Sequence, residues 1–97
     1  MKTLSFTWDN QKNSANIEKH GVSFKEAQTV FYDEHAVEYD DPDHSDYENR
    51  FILMGLSQKF RVLVICYCYQ NNESIIRIIS ARKATKKEQK LYFKVSK

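Results

Sequence analysis

The sequence predicts one α+β domain, an antiparallel β-meander packed on N-terminal helices and followed by a C-terminal helix. Three observations carry that expectation. The chain has 97 residues, 41% of them apolar, enough for one domain over 1–97 with a modest core. Three runs rich in β-branched and aromatic residues, 51–57, 60–69 and 74–81, follow one another with connections short enough for hairpins. Helix-start signals flank them: Asp9 as an N-cap, Ser23 with Glu26, and Thr85 with Glu88 at capping-box spacing.

In order along the chain, Leu4 to Trp8 alternates apolar and polar residues and predicts a short strand. A helix over 10–20 ends at Gly21, a residue suited to the left-handed C′ position. Phe24, Ala27, Val30 and Phe31 form the apolar stripe of a second helix over 23–32. Residues 36–40 read as extended, and 40–46, with Pro42 among Asp and Ser residues, as a loop. The three runs then supply strands, and a last helix starts near Thr85 and ends near Val95. The predicted order is β-α-α-β-β-β-β-α, with the helices on one face of the sheet.

A two-residue turn at Gln58 and Lys59 pairs Arg50 with Tyr67 and Leu56 with Arg61. A turn that keeps Tyr69 opposite Ser74 sets Arg61 opposite Arg82. Alternation then gives one face with Phe51, Leu53, Val62, Val64, Cys66, Cys68 and, as its one charge, Arg77. This face is expected under the helices. The other carries Arg50, Ile52, Arg61, Leu63, Tyr67 and Arg82, apolar in its middle and basic at its ends. A one-residue bulge would carry Arg77 across.

Composition excludes several classes. The longest apolar run, Val62 to Tyr69, is far shorter than the roughly 20 residues of a membrane span, and the N-terminus lacks a signal-peptide core. A cytoplasmic protein with no membrane partner is expected. Cys66 and Cys68 share a strand face about 7 Å apart, beyond disulfide reach, and read as reduced core residues. No other cysteine exists to complete a metal site. His44, His35 and the acidic residues around 40–48 lack ligand spacing, so neither metal nor cofactor is expected. Charge is the most informative bulk property. Residues 1–48 carry four Lys and eleven Asp/Glu, and residues 49–97 carry eleven Lys/Arg and two Glu.

Several segments together resemble a known family. They are Trp8-Asp9 with Lys12 and Asn16, Lys19 to Phe24 with Glu26-Ala27 and Val30-Phe31, and His44-Ser45 with Glu48 and Arg50. Gly55 with Ser57 and Arg61, then Ile76 to Ala84 with Glu88 and Tyr92, complete the pattern. It resembles the BrnT toxins of bacterial type II toxin–antitoxin systems across nearly the whole chain. The resemblance implies a RelE-like fold and a ribonuclease that arrests translation. It also implies neutralisation by a cognate BrnA antitoxin, a ribbon-helix-helix DNA-binding protein. One departure is Phe60, where the family often has Gly, a change that bears on the hairpin turn and its register.

Metal-free RNA cleavage needs a base for the 2′-hydroxyl, cations for the phosphorane-like charge and an acid for the leaving 5′-oxygen. Arg50, Arg61, Arg77 and Arg82 lie on or beside the meander, and guanidinium groups suit phosphate. Arg61 and Arg77 are the expected catalytic cations, with Arg50 and Arg82 as substrate contacts. Glu48, two residues before Arg50, and His20, at a helix C-terminus where a cation is favoured, are the proton-carrier candidates. Lys19 would contact substrate and Tyr67 would stack on a base. Each also has an ordinary reading: a structural Glu–Arg pair, a C-capping histidine, a solvated lysine, a core tyrosine. The competing functions are a non-catalytic module that binds RNA or a partner, and a metal-dependent hydrolase built on the acidic loop.

Overall fold

Residues 4–40 and 50–95 are described by a computed structural model. The N-terminal strand is β1 (Ser5–Thr7), followed by α1 (Asn10–His20). The Asp9 carboxylate accepts hydrogen bonds from the backbone N–H groups of Gln11 and Lys12 at 2.8 and 3.1 Å. Gly21, at φ 69°, closes the helix by donating to the Ile17 carbonyl. Ser23 caps α2 (Phe24–Thr29), which tightens into a 3₁₀ turn at Val30–Tyr32, so the helix predicted over 23–32 is really two pieces. The sheet strands are β2 (Val37–Asp40), β3 (Arg50–Leu56), β4 (Val62–Gln70) and β5 (Ile75–Lys83), and α3 (Lys86–Val95) follows.

The sheet has five strands in the order β1-β5-β4-β3-β2. From β2 to β5 it is the expected antiparallel meander, but β1 pairs parallel with β5, so the sheet is mixed. The α+β class holds, and the purely antiparallel expectation is corrected.

The register is also corrected, and the hairpin turn is the reason. Ser57 N–H donates to the Arg61 carbonyl at 2.9 Å, which makes the turn three residues long, with Phe60 in the left-handed region at φ 60°. The added residue sets Arg50 opposite Cys68, Phe51 opposite Tyr67 and Leu56 opposite Val62. A slip of one residue exchanges the faces of every side chain on β4. The face expected to lie outward, with Leu63, Tyr67, Ile76 and Ile78, is therefore the one that packs on Val22, Phe24, Ala27 and Val30 of the N-terminal helical region.

The helices do not share one face. Tyr92 of α3 and Ala84 pack on Met54, Val62 and Val64, the residues that alternate with the main core. In β5 a bulge intervenes: Tyr67 faces Ile78 and Cys66 faces Ser80, which leaves Ile79 as the extra residue. Arg77 and Arg82 are five apart and would alternate in a regular strand. The bulge brings both to the α3 side, Arg77 opposite Cys68 and Arg82 opposite Val64. The sequence had Arg82 opposite Arg61.

Two polar anchors tie these layers together. Asn16, 7% exposed, donates to the carbonyls of Val22 and Ala81, both at 2.8 Å, and accepts from Ala81 N–H, fastening α1 to β5. Asp33 accepts from Leu56 N–H at 2.8 Å and from the Tyr92 hydroxyl at 2.5 Å, fastening α3 around the sheet edge. Burial would raise the Asp33 carboxyl, but these bonds outweigh it and hold it below the usual range. Tyr92 is pushed up to about 12 by burial and by its bond to Asp33. At Gly55 an added Cβ would lie 2.8 Å from Val30 Cγ1 and 2.9 Å from Ala36 Cβ, so the strand needs glycine there to approach the 3₁₀ turn.

Candidate nucleic-acid interface

On the sheet face opposite α1 and α2, α3 packs on the Met54–Val64 end among the described residues, and Cys68 further along that face is also buried. Beyond that cover runs a row across three strands, Arg50, Cys68 and Arg77, with Thr7 of β1 next to Arg77. A second row holds Ile52, Cys66 and Ser80. Since neighbouring strands lie roughly 4.8 Å apart, the Cα atoms of Arg50 and Arg77 are separated by about 10 Å. Two long guanidinium side chains at that spacing can converge on one phosphate. Arg77 is half-buried, and its side chain makes no hydrogen bond or ion pair with another described residue. Its charge reaches Asp9, whose carboxyl is lowered first by the N–H groups of Lys12 and Gln11 and only weakly by Arg77.

Arg82 and Arg61 each hold a glutamate. Arg82 forms a two-pronged pair with Glu88, at 2.8 and 3.0 Å, while Glu88 also completes the capping box with Thr85. The hydrogen bond from Arg82 is the main reason that the Glu88 carboxyl drops to about 2. Arg61 donates Nε to Glu26 Oε2 at 3.0 Å and one terminal nitrogen to both Glu26 Oε1 and the Gly21 carbonyl. Glu26 is 2% exposed and takes a third bond from Ser57 Oγ at 2.7 Å. Burial would raise its carboxyl, and the Arg61 and Ser57 bonds outweigh that and lower it.

The structure therefore separates the residues expected to act together. Arg50, Arg77 and Arg82 share the α3 side of the sheet. Arg61 lies on the helix side, bonded to the carbonyl of Gly21, directly after His20 and Lys19 at the end of α1. His20 is half-buried and Lys19 exposed. Tyr67 is corrected from the arginine-bearing face to the core: its ring is 1% exposed, packs edge-on against Phe31 at 4.9 Å, and its hydroxyl donates to Glu38. A buried ring cannot stack on a base. Glu48, with His44 and Ser45, lies outside the described residues.

Sequence reasoning gave no role to Glu26, Asn16 or Asp33 beyond a capping position and matches to a family pattern. The one available signal was a carboxylate on the apolar stripe of a short helix, a placement that demands a partner. A cleft of about 350 Å³ on the helix side is edged by Asp33, Glu38 and Glu73. Three carboxylates repel a polyanion, so among the described residues the α3 side is the less repulsive of the two faces for one.

Comparison with known proteins agrees with this architecture. The structure matches that of a ribonuclease toxin, BrnT, from Brucella abortus with a TM-score of 0.63 and 21% identity, covering 87% of this chain and all of that one. No curated protein matches the sequence. The family model described as the ribonuclease toxin BrnT of type II toxin–antitoxin systems matches residues 8–88. This chain belongs to that family.

Proposed function

We propose that this chain is a metal-independent endoribonuclease that arrests translation by cutting RNA and is held in check by a cognate BrnA-type antitoxin. The observation that carries the reading is the Arg50–Cys68–Arg77 row on the sheet face that α1 and α2 leave uncovered. RNA lies across this face with its scissile phosphate between the two guanidinium groups. The neighbouring 2′-hydroxyl attacks phosphorus, the 5′-oxygen leaves, and the arginines stabilise the charge that builds on the phosphoryl oxygens. In metal-dependent nucleases that charge is met by metal ions. Glu48, two residues before Arg50, is the favoured proton carrier. His20 sits at the end of α1, a helix packed on the other face. Arg82 contributes positive field while bracing α3, and Lys19 is a peripheral contact at most.

The test is cleavage of RNA by the purified protein in the presence of EDTA, together with growth arrest on induced expression. Wild type should cut. Arg77→Ala should lose at least a hundredfold in rate, the order expected for one electrostatic donor, with its melting temperature within a few degrees of wild type. RNA that is bound but left intact, with Glu48→Gln binding equally well, would favour the non-catalytic module. Activity abolished by EDTA would return the metal-dependent alternative.

A further inference from the structure

The C-terminal helix carries a second surface that RNA cleavage does not use. The inner side of α3 is occupied: Tyr92 is 3% exposed in the core, Glu88 holds Arg82, and Gln89 donates to the Ala84 carbonyl. Its outer side bears Leu91 and Phe93, exposed to 56% and 51%. Two shallow grooves run along the flanks. Lys86, Gln89, Lys90, Phe93 and Lys94 line one, and Lys87, Glu88, Lys90, Leu91 and Lys94 line the other. Lys90 and Lys94 form the ridge between them. The helix has one acid, Glu88, and Arg82 already uses it.

We propose that α3 is the docking surface for an acidic amphipathic helix of a protein partner, one that presents aliphatic side chains flanked by carboxylates. Charge complementarity fixes the sign of the occupant. Four lysines stand against one acid, Glu88, which Arg82 already engages, so the helix favours an anionic occupant and disfavours a symmetric contact that sets lysine against lysine. The half-exposed apolar side chains fix its chemistry. Phosphates would satisfy the lysines but leave Leu91 without a partner, because an aliphatic side chain gives a base no stacking face. A helix with leucines at helical spacing fills both grooves and brings its carboxylates to the lysine rim, an apolar centre inside a charged border.

The proposal is independent of the cleavage reading, because its test contains no catalytic step. The probe is a labelled helical peptide of about eighteen residues, with leucine at every third or fourth position and glutamate between. A scrambled peptide of the same composition is the control. The ordered peptide should bind, and the scramble should bind at least tenfold more weakly. Leu91→Ser with Phe93→Ser, and separately Lys90→Glu with Lys94→Glu, should each weaken binding at least tenfold, while Lys90→Arg with Lys94→Arg should bind as wild type does. All four positions changed are exposed, and an unchanged melting temperature confirms the fold. Equal binding of peptide and scramble overturns the proposal. So does binding that survives loss of Leu91 and Phe93, which would make α3 a plain electrostatic surface, with oligouridylate as the natural competitor. Binding to phosphatidylserine-containing vesicles without binding to the peptide would assign the helix to a lipid surface instead.

Discussion

Replacing Arg61 by Ala separates structural from catalytic use of arginine in this sheet. The substitution removes two side-chain donors and the opposite charge from Glu26, which is 2% exposed and keeps only its bond from Ser57. Breaking a fully buried pair costs about 3–5 kcal/mol. Here the Arg61 side chain is 30% exposed, so water takes over part of the lost solvation and the cost falls to about 2–3 kcal/mol. For a domain of this size each kcal/mol moves the melting temperature by roughly 4–8 °C, giving a drop of about 10–20 °C by circular dichroism. Well below that lowered midpoint, the folded variant should still cut RNA at close to the wild-type rate. A paired Glu26→Gln, Arg61→Met variant removes both charges and should recover most of the lost stability. The reasoning is refuted if Arg61→Ala melts within about 3 °C of wild type and yet loses cleavage, which would make Arg61 a catalytic group after all.

Two further outcomes follow from geometry at single residues. Phe60 is 83% exposed at φ 60°, so Phe60→Gly relieves left-handed strain at almost no cost in buried surface and should stabilise the fold by about 0.5–1 kcal/mol, read as a higher melting temperature. Glu88 ionises at about 2 in the folded protein against 4.5 ordinarily. Its contribution is therefore complete above about pH 4.5 and disappears as pH falls toward 2. The pair is 42% and 27% exposed at Arg82 and Glu88, so screening limits the contribution to about 1 kcal/mol. Melting curves of wild type and Glu88→Gln should converge across that acid window; a constant difference down to pH 2 would contradict the assignment.

The parts of the fold legible in the sequence were those set by local rules. Asp9, Gly21, Ser23 and the Thr85–Glu88 box bound helices where capping chemistry placed them. The meander followed from its runs and short connections. Face assignment failed because it depends on parity, and parity was changed by a turn of three residues and a bulge at Ile79. Phe60 hid the first, since a phenylalanine gives no hint of a left-handed position that glycine would have announced. The bulge has no sequence mark, because Ile78-Ile79-Ser80 reads as uninterrupted strand. The candidate site was legible as a set of arginines and illegible as a geometry. Whether an arginine faces RNA or a buried glutamate is decided by residues dozens of positions away, as Glu26 and Arg61 show.

The division of charge along the chain acquires a physical meaning from these pairs. Among the described residues, acids of the first half reach into the basic second half. Glu26 crosses to neutralise Arg61, and Asp9, though already engaged by the start of α1, feels the charge of Arg77. Glu88, one of the two acids of the basic half, neutralises Arg82. After those subtractions the described positive charge that contacts no acid includes Arg77 on the sheet face and the lysines of α3 on the side of the sheet that Arg77 shares. A guanidinium set among strand side chains suits a single phosphate, whereas a lysine ridge beside Leu91 and Phe93 suits a longer anionic partner with apolar side chains. Substitutions should therefore sort by location. Changes at Arg77 should alter cleavage and leave acidic-peptide binding intact, and changes at Leu91 and Phe93 should do the reverse.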